Sequence, residues 1–151
     1  MTGMNEERKF AALVIEDEIG DAGLMRVALE RTGHDIAVSF VSDGKEALEF
    51  LQRQSDRFRQ AVQPDLILMD LKMPGKSGLE LLQYLKQDER LAAIPVVVVT
   101  TSALDADLRA AYRFGAAGYV LKSADFNEFL TAINTLCRYW FELVCLPGRS
   151  R

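Results

Sequence analysis

Five short apolar runs punctuate the chain, at Phe10–Ile15, Ile36–Val41, Leu66–Met69, 94–99 and 116–121. Runs of this length, bounded by turn residues, read as strands buried on both faces, the kind a parallel sheet requires. Helical spacing follows each of them. Leu24, Val27, Ala28 and Arg31 form the inward stripe of a helix over 20–31, closed by Gly33. Ala47, Leu48 and Leu51 do the same over 45–52, and Leu79, Leu82 and Leu85 follow Ser77, a predicted N-cap. A fourth helix over 103–114 stops at Gly115, and a last one runs from Asp125 to about Val144. The polar, mixed-charge stretch 54–63 reads as a helix extension and a surface loop. Strand and helix alternate with short connections, which predicts an α/β fold with a doubly wound, five-stranded parallel sheet.

In such a sheet the C-terminal ends of the strands meet along one edge, where ligands bind. The first strand ends on Glu16-Asp17, the third on Asp70, the fourth on Thr100 and the fifth on Lys122. Asp70 alone could be no more than a turn cap. Gathered together, three carboxylates repel one another and call for a cation, and hard oxygen ligands with room for water suit Mg²⁺ or Mn²⁺. An ammonium beside such a site suits an anion with several oxygens, which points to a phosphoryl group. Asp70 then serves as the nucleophile, with Lys122 and Thr100 facing the phosphoryl oxygens.

Composition narrows the classes. The 151 residues suit one domain, and 49% hydrophobic with 26% charged residues is the ordinary range for a soluble globular protein. A net charge of −4 argues against a surface that coats nucleic acid. No apolar run approaches the roughly 20 residues that span a membrane, and the polar residues 1–9 do not make a secretory signal. Cys137 and Cys145 have no partners at metal-ligand spacing, so they read as reduced thiols of a cytoplasmic protein, and a zinc site is excluded. His34, behind the helix-ending Gly33, reads as a surface turn residue.

These residues resemble the signature of the receiver domain of two-component response regulators, over essentially the whole chain. The resemblance is carried by Glu16-Asp17, by the segment from Asp70 through Leu71, Lys72, Met73, Pro74, Gly75, Lys76 and Ser77 to Gly78, by Thr100, and by Gly118-Tyr119-Val120-Leu121-Lys122. Thirty residues separate Asp70 from Thr100 and twenty-two separate Thr100 from Lys122, as in single-domain chemotaxis-type receivers. The resemblance implies a flavodoxin-like (βα)5 fold and a phosphoryl group taken by Asp70 from a histidine of a sensor kinase. It implies Mg²⁺ held by Glu16, Asp17, Asp70 and the backbone carbonyl of Lys72. It also implies a switch in which Thr100 turns toward the phosphoryl group while Tyr119 moves inward.

Three positions depart from the usual pattern: Glu16 where Asp is commoner, Thr101 where a smaller residue is usual, and Ser123 where most receivers carry proline. Together with the insert at 54–63, these features resemble the subgroup paired with bacterial and cyanobacterial phytochromes. Only 29 residues follow Lys122, so the expected organisation is a flexible 1–9, a receiver over 10–145 and a tail over 146–151, with no output domain. In the last helix, Phe126, Phe129, Leu130, Ile133, Cys137, Trp140 and Val144 are expected to face the sheet. Leu136, Tyr139, Phe141 and Leu143 are left over, and such an apolar surplus predicts a homodimer interface. Three other readings stay open: a phosphorelay shuttle or sink that serves a histidine phosphotransfer protein, an interaction module that works without phosphorylation, and a phosphohydrolase. The last would need an acid two residues after the nucleophile, where Lys72 stands.

Overall fold

The computed structural model describes residues 9–73, 75 and 77–148. Expectations for 1–8 and 149–151, and for Pro74 and Lys76 of the acceptor loop, lie outside the described residues. The five strands are β1 Phe10–Ile15, β2 Ile36–Val41, β3 Leu66–Met69, β4 Val96–Thr100 and β5 Gly118–Leu121. They alternate with the helices α1 Ile19–Glu30, α2 Gly44–Gln52, α3 Gly78–Gln87, α4 Asp105–Arg113 and α5 Phe126–Arg138. The sheet is parallel throughout, in the order β2-β1-β3-β4-β5. The expected doubly wound, flavodoxin-like arrangement is present.

Period-two alternation sorts the strand residues onto two faces. Leu13, Ile15, Ile67, Met69, Val96 and Val98 pack beneath α2, α3 and α4 with Leu51, Leu82, Leu85 and Ala111. Val14, Leu66, Leu68, Val97 and Val99 pack beneath α1 and α5 with Met25, Leu29, Phe129 and Ile133. Both faces are buried along β1, β3 and β4, which is why those strands read as unbroken apolar runs, whereas the edge strands β2 and β5 are mostly half-buried. Ser77 caps α3 as the sequence suggests, its Oγ accepting from the Glu80 N–H at 3.2 Å, and Asp43 Oδ1 accepts from the Glu46 N–H at 2.8 Å at the start of α2.

Four expectations need correction. The inward stripe of α1 is Met25, Ala28 and Leu29: Ala28 lies where expected and Val27 is half-buried, but Leu24 and Arg31 are exposed. The 54–63 stretch is not wholly a surface loop. α2 ends on Arg53 in the left-handed region (φ 52°), and a 3-10 turn over Asp56–Phe58 tucks the Phe58 ring edge-on against Phe50. His34 is no free surface residue, for its Nε2 pairs with Glu142 at 2.6 Å beside the Phe141 ring.

The fourth correction concerns the C-terminal helix, which becomes a π-turn over Tyr139–Leu143. Phe141 lies four residues after the buried Cys137, on the same face of the helix, and its ring stacks on Phe10 at 4.5 Å. Leu136 and Phe141 are therefore core residues and cannot form the expected dimer interface, whereas Tyr139 and Leu143 remain exposed at 47% and 69%. Leu146 is also buried, so packing continues past the expected domain end at 145.

Candidate functional site

Strand order fixes where the chemistry gathers. The chain steps from β1 outward to β2 and returns past β1 to β3, so a crevice opens between the C-terminal ends of β1 and β3. The ladder carries one residue beyond each strand. Glu16 N–H donates to the Val41 carbonyl at 3.0 Å, Asp70 N–H to Ile15 at 3.1 Å and Lys122 N–H to Thr100 at 2.8 Å. Glu16, Asp70 and Lys122 thus share one edge, and the two carboxylate residues are each only 9% exposed.

Lys122 ties them together. Its Nζ donates to Glu16 Oε1 at 2.6 Å, to Asp70 Oδ2 at 2.8 Å and to Asp21 Oδ2 at 2.8 Å. Backbone N–H groups take the remaining oxygens, Glu18 N–H on Glu16 Oε2 and Lys72 N–H on Asp70 Oδ1, both at 3.1 Å. Carboxylate oxygens of Glu16, Asp21 and Asp70 lie within 4.8 Å of one another. Burial works against the Lys122 ammonium, but the bonds to Asp21, Asp70 and Glu16 outweigh it and hold its pKa above the ordinary lysine value. Burial also opposes the Asp70 carboxylate, yet Lys122, the Lys72 N–H and the Thr100 hydroxyl together keep its pKa below the usual range. Burial wins at Glu16, whose pKa is raised, with the Asp70 charge adding to the effect.

Thr100 is fully buried, and its Oγ1 accepts from the Ser102 N–H at 3.3 Å. Tyr119 is half-buried, with its hydroxyl donating to the Ser102 carbonyl at 2.9 Å. Thr100 and Tyr119 therefore bear on the same short segment after β4. Gly78 starts α3 where a Cβ would meet the Asp70 carbonyl at 2.7 Å and the Leu71 Cα at 2.8 Å. Only glycine lets that helix close against the end of β3.

Glu16, Asp70, Lys122 and Thr100 meet as the strand ends suggest, with Lys72 contributing its N–H. Asp17 does not join the cluster. It is exposed and lines a neighbouring cleft with Glu16, Ile19 and Arg26. Asp21 takes a place in the cluster that sequence reasoning did not give it. On α1's first turn it reads as a partner of the helix dipole, and only the fold shows its carboxylate turned to Lys122. Beside Asp21 and Lys122 a cleft of about 500 Å³ opens, walled by Leu24, Ala124, Phe126 and Phe129.

Comparison with known proteins agrees with this geometry. Residues 12–134 match the model of the response regulator receiver domain. The chain is 36% identical over 145 residues to the probable methanogenesis regulatory protein FilR2 of Methanothrix harundinacea, covering 96% of this chain and 92% of that one. Identity to the response regulator Rcp1 of Synechocystis is 35% over 136 residues, covering 90% and 92%. A crystal structure of Rcp1 in its Mn²⁺-bound form superposes with a TM-score of 0.84, at 34% identity over 92% of this chain and 99% of that one. The phosphorylated cyanobacterial phytochrome response regulator RcpA gives 0.87, at 33% identity over 93% of this chain and all of its own.

Proposed function

The chain belongs to the response regulator receiver domain family, and on that premise we propose that Asp70 is its phosphoacceptor, charged by a phosphohistidine of a sensor kinase. The observation that carries this is the setting of Asp70. Its carboxylate is ionised, almost enclosed, and held between the Lys122 ammonium and the Lys72 N–H at the crevice of the sheet. Transfer breaks the N–P bond of the phosphohistidine and forms an O–P bond to an Asp70 oxygen, which leaves a neutral imidazole on the kinase and an acyl phosphate here. Lys122 then turns from Asp70 Oδ2 to a phosphoryl oxygen, a partner of greater charge. Thr100 offers its hydroxyl to another, and Tyr119, released from the Ser102 carbonyl, follows inward.

The donor set fits a hard divalent cation, with Glu16 and Asp70 as the side chains to hold it, the Asp21 charge beside them, and Asp17 and the Lys72 carbonyl in the adjoining loops. Bound there, Mg²⁺, or Mn²⁺ in its place, supplies charge against the phosphoryl oxygens.

We place the protein in the cytoplasm, and as the partner of a phytochrome-type kinase on its likeness to the phytochrome response regulator RcpA. The output is contact with another protein, and pairing of two copies is the form we favour. Leu104, at the start of α4, and Leu108 and Tyr112 within it stand exposed at four-residue spacing, in addition to Tyr139 and Leu143. Sedimentation with and without phosphorylation tests pairing, and a monomer in both states at micromolar concentration refutes it. The acceptor is tested by incubation with a phosphorylated sensor kinase. Label moves to the wild-type chain and not to Asp70→Asn, and equal labelling of that variant overturns the assignment.

A further inference from the structure

Lys122 has three N–H donors and all three are spent on carboxylates. Two of those carboxylates belong to the crevice itself. The third, Asp21, is different in kind: it comes from the first turn of α1, its side chain is 37% exposed, and no strand end supplies it. Nothing in the transfer reaction requires an acid at this place, so its effect on the lysine and on the local charge needs an account.

Consider the charges within hydrogen-bond reach of Lys122. Glu16, Asp21 and Asp70 against one ammonium leave two net negative charges, which a divalent cation cancels. A phosphoryl group on Asp70 replaces one carboxylate charge by two, so the loaded, metal-bound pocket carries one negative charge in excess. Remove the charge of Asp21 and the loaded pocket is neutral. Asp21 therefore makes the empty pocket attractive to the cation and the loaded pocket repulsive to the phosphoryl group. By holding Nζ on the α1 side it also leaves Lys122 a single donor to give when the bond to Asp70 is exchanged.

We propose that Asp21 is a positioning residue for Lys122, and that its charge limits how firmly the pocket retains a phosphoryl group. The inference rests on Asp70 as the acceptor. It predicts opposite signs for two bindings, a pattern that loosened packing does not produce. Asp21→Asn keeps an acceptor oxygen for Lys122 and removes only the charge, while Asp21→Ala removes both.

The probes are Mn²⁺ alone, followed by the electron-spin signal of the free ion, and trifluoroberyllate at saturating Mg²⁺, followed by fluorine NMR as a phosphoryl mimic on Asp70. Asp21→Asn weakens Mn²⁺ binding by roughly tenfold, the scale at which neighbours of metal ligands act, and tightens trifluoroberyllate binding. Asp21→Ala weakens the metal at least as much. Trifluoroberyllate binding that is unchanged or weaker in Asp21→Asn, with the wild type binding normally, overturns the role of Asp21 and leaves Asp70 standing. Failure of the wild type to bind trifluoroberyllate overturns both.

Discussion

Replacing Lys122 by methionine keeps most of the side-chain volume and deletes the ammonium from a pocket where it is 9% exposed. Glu16 and Asp70, almost as enclosed, then face each other without a counter-charge. Stranding buried charges in this way costs about 3–5 kcal/mol. Asp21 adds little to that cost because its side chain is more than one-third exposed. Protonation of Glu16, whose pKa burial already raises, relieves part of the remainder. A loss of about 3 kcal/mol follows, which for a chain of this size lowers Tm by roughly 6–12 °C.

The deficit has a sign in pH. It is largest where both carboxylates are ionised and shrinks as pH falls and they take up protons. In the wild type, the raised Lys122 pKa means the stabilisation is complete below the ordinary lysine value of 10.5 and fades only as pH rises beyond it. A divalent cation at about a hundred times its dissociation constant returns roughly 2.7 kcal/mol, and the variant gains more from it than the wild type does. Calorimetry of both proteins at neutral pH, with Mg²⁺ and with chelator, is the assay. A variant that melts within 2 °C of the wild type in chelator refutes the claim that Lys122 offsets buried charge.

The C-terminal register predicts a contrast between neighbours. Phe141→Ala, which empties the site stacked on Phe10, costs about 3–5 kcal/mol in urea unfolding, whereas Leu143→Ala changes stability by less than about 0.5 kcal/mol. Equal costs would mean that Phe141 is not the residue that the end of this helix buries. Gly78→Ala forces a methyl group onto the Asp70 carbonyl and Leu71 Cα. Overpacking of this kind costs about 1–3 kcal/mol, and the displaced Asp70 also accepts a phosphoryl group more slowly from a small acyl-phosphate donor. A variant phosphorylated at the wild-type rate shows that the loop absorbs the clash.

Strand-bound features were legible in the sequence, and helix-bound ones less so. Asp70 and Lys122 could be read because each ends an apolar run, and a parallel sheet leaves such ends only one edge on which to meet. The two-faced core was legible for the same reason, since β3 and β4 hide every side chain and β1 all but Phe10. Asp21 was not, because its bearing on Lys122 depends on how α1 is rotated against the sheet, and that rotation is set by Met25 and Leu29 rather than by the expected Leu24. Leu136 and Phe141 were misplaced because the inward stripe of the last helix is wider than expected: Leu136 stands three residues after Ile133 and Phe141 four after Cys137, on the same buried face. His34 could not be read at all, for its partner Glu142 lies 108 residues away and meets it only after α5 has packed.

The central claim is that this pocket makes an acyl phosphate on Asp70. The most direct measurement is the intact mass after incubation with Mg²⁺ and a small acyl-phosphate donor, followed by borohydride reduction and peptide mapping. One added phosphoryl group is expected, lost when the metal is chelated, with reduction to homoserine at position 70 alone. A phosphoryl group that maps to any other residue, or that forms equally well in Asp70→Asn, contradicts it.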